Sequence, residues 1–173
     1  MRILGIDPGY AIVGYGVIDY RNTRFSVVDY GAILTEAGTP FNERLEQIYD
    51  EAFAIMQQYK PESMAIEKLF YNTNAKTVID VGQARGALIL AAQKNALTIA
   101  EYTPLQVKQS VVGYGRAEKK QVQEMTKLIL NLKKIPKPDD TADALAIAIC
   151  HAHVGGSMFS GGGIDPSRIR NGI

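Results

Sequence analysis

Apolar residues fall into three rhythms along the chain. Near the amino terminus they form short blocks, Arg2 to Asp7, Ile12 to Asp19 and Phe25 to Thr35, separated by Pro8-Gly9 and by the polar run Tyr20-Arg21-Asn22-Thr23. Blocks of this length bounded by turn residues predict three consecutive strands in an antiparallel meander. From Asn42 to Tyr59 the rhythm lengthens: Leu45, Ile48, Ala52, Phe53, Ile55 and Met56 recur at helical spacing between Pro40 and Pro61, predicting one amphipathic helix. Ser63 to Glu67 is a fourth short strand. After the polar stretch Tyr71-Asn72-Thr73-Asn74, a long helical pattern runs from Ala75 to Asn95. Its segment GQARGALILAAQ is rich in small residues, and Gly82 and Gly86 should each cost the helix about 1 kcal/mol relative to Ala. A close contact, in the core or at a dimer seam, would explain both.

The third rhythm alternates strand with helix. Leu97 to Tyr102 predicts a fifth strand, Thr103 with Pro104 opens a helix, and Gly113 to Gly115 closes it. Ala117 to Leu132 and Asp140 to His153 complete the helices. Three successive strands followed by alternating elements predict an α/β fold with a five-stranded mixed sheet and helices on both faces, as a single domain over 1–154. Beyond Val154 the sequence GGSMFSGGGIDPSRIRNGI offers little to bury, so 155–173 reads as a flexible tail.

Composition narrows the partners less than the pattern does. With 173 residues, 46% of them hydrophobic, one domain has enough material for a core. Basic residues (19) nearly balance acidic ones (18), so net charge alone gives no reason to expect nucleic acid. The distribution is uneven, however. Acids dominate before residue 60 and bases dominate from 104 to 140, a pattern suited either to a solvated helical face or to a polyanion. A single cysteine, Cys150 in the apolar run ALAIAICHA, excludes an intramolecular disulfide. With no signal-peptide pattern and no apolar run of membrane length, the expectation is a cytoplasmic protein without a membrane role.

The chemistry lies in the carboxylates. Asp7 ends a hydrophobic strand directly before Pro8-Gly9, at the rim where open α/β sheets place their sites. Glu67 ends the strand MAIE in the same way. In DDTADALAIA, Asp140 and Asp143 stand three apart at a helix start and share a face, as Asp139 and Asp143 also would. Singly, Asp7 suits a turn, Glu67 a solvated strand end, and Asp139 or Asp140 a helix cap. Jointly, four acids around one point repel one another and call for a counter-cation. Mg²⁺ takes oxygen ligands, and a pair of ions can clamp the attacking and leaving oxygens of a phosphoryl displacement, so phosphodiester hydrolysis is the chemistry this set predicts.

The segments GIDPGYAIVGYGVID, AIEKLFYNTNAKTVIDVGQARGALILAA, YTPLQVKQSVVGYGRAEKKQV and DDTADALAIAICHA together resemble the RuvC Holliday-junction resolvases, in register from about residue 1 to about 153. The resemblance implies an RNase H-like fold and a homodimer that cuts four-way junction DNA by paired symmetric nicks during recombination and DNA repair, with two Mg²⁺ per subunit that Mn²⁺ can replace. It also implies cooperation with the RuvA–RuvB branch-migration complex. The family's catalytic and metal-holding acids fall on Asp7, Glu67, Asp140 and Asp143, with Asp139 an adjacent extra acid. Its DNA-contacting residues fall on Phe70, Lys108 and Lys119. Phe70 has the π-face to stack on an unpaired base, and the lysines can position a phosphate without reading sequence. Without the resemblance, a core aromatic and solubilising charges would serve as readings of these three. Lys68, next to Glu67, departs from the expected pattern.

Three rivals fit less well. IDPGYAIVGYG also resembles the phosphate loop of sugar-kinase and actin-like ATPases, but those need two related domains and a second loop, for which 173 residues leave no room. YqgF-type resolvases share the strand-end Asp, whereas the small-residue helix and AEKKQV favour RuvC. A junction-binding protein without chemistry would have little use for four converging acids.

Overall fold

The computed structural model describes the backbone of residues 1–69 and 75–160 and the side chains of 1–69 and 78–155. Along the chain the elements are β1 (Arg2–Asp7), β2 (Ile12–Arg21), β3 (Arg24–Leu34), α1 (Phe41–Tyr59), β4 (Ser63–Glu67), α2 (Ala75–Lys94), β5 (Thr98–Tyr102), α3 (Pro104–Val112), α4 (Lys119–Ile129) and α5 (Asp139–Ser160). The strands form one sheet in the order β3-β2-β1-β4-β5. Short links make β1, β2 and β3 antiparallel neighbours. The helical crossovers return β4 parallel to β1 and β5 parallel to β4. This is the expected mixed sheet.

Alternation along β1 and β4 sorts the two faces. Leu4, Ile6, Met64 and Ile66 pack with Ile48, Ala52 and Met56 of α1 and Ala84, Leu88 and Ala91 of α2. On the opposite face, Ile3 and Ala65 pack with Val107 and Val111 of α3, Val122 of α4 and the α5 run from Leu145 to Cys150. That alternation carries Asp7 and Glu67, two residues on from Gly5 and Ala65, to the α5 face. Because α5 lies between the sheet and α3 and α4, it is apolar nearly all round: Ala142 and every residue from Ala144 to Cys150 are buried. Cys150 sits there as a buried free thiol.

Two glycines set how close α5 comes. A Cβ on Gly5 would lie 2.1 Å from the Ala144 carbonyl oxygen, and one on Gly14 would lie 2.0 Å from that of Asp140. Since Gly14 pairs with Asp7 across the β1–β2 ladder, the acid-bearing first turn of α5 is seated directly beside Asp7. The Thr141 hydroxyl, fully buried, donates to the Gly31 carbonyl at 3.0 Å and pins the same turn to β3.

Boundaries differ from expectation in two places. The helix expected over Ala117 to Leu132 is shorter, because Glu118 is an extended N-cap and Asn131 takes a left-handed φ of 51°. The last helix runs on to Ser160 rather than stopping at His153, so it includes the first six residues of the expected tail. Residues 161–173 lie outside the described part. Among the described residues, Gly86 has nothing within 4 Å of a built Cβ, and Gly82 meets only Leu69, at 3.6 Å, so their core does not demand either glycine. Among the described residues, no helix is long and apolar enough to cross a membrane.

Candidate active site

The strand pairing brings the first two acids together. Ile6 pairs with Ile66, so Asp7 and Glu67 leave the sheet side by side at the carboxyl ends of parallel neighbours. Burial foremost, then the charges of Glu67, Asp143 and Asp140, push Asp7 up to about 8. Burial also raises Glu67, with the Asp143 charge adding to it, while the adjoining Asp7 carboxyl and the Lys119 ammonium pull the other way. Asp143 is raised by burial against the opposing pull of Lys119. Three acids thus ionise with difficulty, and the deficit is one of positive charge.

Lys119 supplies part of it. Its ammonium lies 2.8 Å from the Asp143 carboxylate and 3.9 Å from that of Asp139. Glu118 caps α4 in a reciprocal box, with Gln121 Oε1 accepting from the Glu118 N–H at 2.8 Å, so Lys119 is fixed as the first helical residue. A cation at a helix amino terminus opposes the macrodipole, and the acids of α5 offset that cost. On the next helix back, Thr103 and Gln106 form a second capping box that sets α3, with Lys108 on it. A cavity of about 260 Å³ opens between these elements. Its polar walls are Glu67, Asp143, Lys108 and Lys119, and its floor includes Val107, Val122 and Ile147.

The structure therefore brings together Asp7, Glu67, Asp143, Lys108 and Lys119, with Asp140 close enough for its charge to act on Asp7. Asp139 points its interactions outward: it pairs with Lys137 as well as Lys119, and Lys137 foremost holds it below the usual carboxylate range. Lys68 is exposed. Phe70 lies outside the described residues. Glu67, Asp140 and Asp143 all lie near enough for their charges to act on Asp7. Among the described residues, no group of three acids, histidines or cysteines is set to hold a metal ion. Asp143 is tied to the Lys119 ammonium instead. The donor set itself fits a hard divalent cation, since it consists of carboxylates buried beside one another with a compensating charge from a half-exposed lysine.

One further residue escaped the sequence reading. Arg85 of α2 is mostly buried, ion-pairs with Glu101 at 2.9 Å and directs its Nε toward the Glu67 carbonyl at 3.4 Å. Its signal was an arginine in the middle of the small, apolar segment GQARGALILAAQ, where a charge needs a buried partner.

Acids on adjacent strand ends of a mixed sheet, faced by an acid-bearing helix and flanked by lysines, define an RNase H-like nuclease. The model of the family "Crossover junction endodeoxyribonuclease RuvC" matches residues 3–151. The RuvC proteins of Alkaliphilus oremlandii and Caldanaerobacter subterraneus are each 60% identical to this chain, over 90% and 88% of its length and 94% and 93% of theirs. The structure of Thermus thermophilus RuvC in complex with Holliday junction substrate superposes with a TM-score of 0.86 at 34% identity, covering 90% of this chain and 94% of that one. The chain belongs to the RuvC family of crossover junction endodeoxyribonucleases.

Proposed function

We propose that this protein resolves four-way DNA junctions in the cytoplasm, as a homodimer that makes paired symmetric nicks during recombination and repair, using Mg²⁺ held by Asp7, Glu67, Asp140 and Asp143. The observation that carries the reading is the meeting of Asp7, Glu67 and Asp143 beside a cavity walled by Lys108 and Lys119, in a chain similar to a RuvC seen with junction DNA. Two ions per subunit match the division of labour in phosphodiester hydrolysis, and Mn²⁺ can replace them. Bound metal supplies Lewis-acid activation of water and relief of charge on the leaving oxygen.

The chain's own groups do the rest. Asp7 gives up its proton so that it and Glu67 both act as anionic oxygen donors. Lys119, released from Asp143, is free to meet a phosphate oxygen, and Lys108 on the facing wall holds the same backbone without reading its sequence. Phe70, by family resemblance, stacks on a base at the junction centre. The dimer seam lies along α2, where Ile79, Gly86 and Leu90 form an exposed stripe with Gln83. The same relationship links the protein with the RuvA–RuvB branch-migration complex.

The test is incubation of the protein with a synthetic four-way junction and a linear duplex, in Mg²⁺ and in EDTA. Paired nicks in the junction alone, dependent on metal, are expected. Binding without cleavage, or equal cutting of the duplex, overturns the proposal.

A further inference from the structure

A second buried arginine stands behind the Asp7 turn. Arg44, in the first turn or so of α1, is 8% exposed and has no carboxylate partner among the described residues. It also lies near a helix amino terminus, where positive charge is disfavoured. A buried cation placed so unfavourably is retained by what it touches. Its Nε donates to the Thr35 hydroxyl oxygen at 2.9 Å, and its Nη2 reaches the Tyr10 carbonyl at 3.5 Å. The guanidinium carbon sits 3.6 Å from the centre of the Tyr10 ring, which in turn packs on Phe41 at 5.0 Å.

Thr35 completes a closed set. Its hydroxyl donates to the Tyr10 carbonyl at 2.8 Å, and its N–H donates to the Ala11 carbonyl at 3.0 Å. The turn held this way begins at the residue after Asp7. It is already tight at Gly9, where a Cβ would lie 2.0 Å from the Ile12 carbonyl oxygen. Every polar contact made by Arg44 and Thr35 side chains here ends on the Tyr10 turn or on each other.

We propose that Arg44 is a positioning residue for junction cleavage: with Thr35 it clamps the Pro8–Ala11 turn and so fixes the place of the Asp7 carboxylate, without touching DNA. This rests on the nuclease reading above. Displacement of a reacting group by about 1 Å costs on the order of a hundredfold in rate, while the binding surface is untouched.

The experiment measures single-turnover junction cleavage, junction affinity in EDTA and the thermal midpoint for Arg44→Gln, Thr35→Val and the Arg44→Gln/Thr35→Val double variant, whose two side chains share the Nε–Oγ1 bond. Thr35→Val is nearly isosteric and carries the test if Arg44→Gln does not fold. The expected result is a cleavage loss of at least about tenfold for Arg44→Gln and Thr35→Val with affinity within about twofold, and a loss in the Arg44→Gln/Thr35→Val double variant well short of the product of the two. Cleavage at the wild-type rate by a folded Arg44→Gln or Thr35→Val protein overturns the inference, as does a matching loss of affinity or losses that multiply in the double variant. Failure of the wild-type protein to cut the junction overturns the nuclease reading instead, so the two failures are distinguishable.

Discussion

Asp7 is protonated in the folded, metal-free protein at neutral pH, because burial and the acids around it raise it from 3.8 to about 8. In the unfolded chain it ionises near the ordinary value. The folded state therefore binds the proton more tightly, and stability is greatest below the unfolded value and falls as pH rises toward the folded one. Glu67 is raised in the same direction. In EDTA the thermal midpoint should decline from about pH 5 to about pH 8, and Asp7→Asn, which carries no ionisable proton, should flatten the decline. A midpoint that rises over this range in the wild-type protein would show that the carboxylates are not packed against one another. At this scale the strand-end acids were legible from sequence, since Asp7 and Glu67 each close an apolar block before a break in pattern. The pairing of Lys119 with Asp143 was not, because it joins first-turn residues of two helices whose packing the local pattern does not encode. Arg44 and Arg85 were hidden for the same reason: their partners lie far along the chain, a hydroxyl and a backbone carbonyl for Arg44 and the Glu101 carboxylate and a backbone carbonyl for Arg85.

Among the elements, α5 decides whether the acids meet. The sheet accepts it only because Gly5 and Gly14 leave room for its backbone, and the clash at Gly14 would be with a carbonyl oxygen that has no rotamer to yield. Gly14→Ala should destabilise the protein by about 1–3 kcal/mol and move Asp140 and Asp143 off Asp7, with cleavage falling further than stability alone accounts for. Chemical denaturation together with a cleavage assay under folding conditions checks this; an active, fully stable Gly14→Ala protein would contradict it. The five strands were readable from their apolar blocks, and the capped start of α3 from Thr103-Pro104. The limits of α4 and α5 were less so. A left-handed Asn131 and a helix continuing through Gly155 are set by tertiary surroundings more than by propensity.

For the whole molecule, the question is what covers α2. Ile79 is 59% exposed and Leu90 51%, and Gly86 between them leaves open space. A two-fold axis laid on this stripe would bury the same residues from both subunits and let the helices approach closely. Leu90→Glu puts like charges across such an axis. It should shift the protein from dimer to monomer in analytical ultracentrifugation and abolish paired nicking while leaving the thermal midpoint of the monomer close to that of the parent. An unchanged dimer would place the seam elsewhere. The mixed sheet with two helical layers followed from the order of the sequence blocks, whereas Gly82 and Gly86 left two accounts open, a core contact and a dimer seam, and among the described residues a Cβ on either meets little.

Metal-dependent cleavage by buried carboxylates gathered by β1, β4 and α5, with the junction held by other residues, is the reaction we propose for this site. Its most direct test compares wild-type protein with Asp7→Asn for junction affinity and for cleavage in Mg²⁺. Affinity close to wild type and cleavage lowered by at least about a hundredfold are expected; a protein that binds well and still cuts at the wild-type rate would overturn the assignment of Asp7.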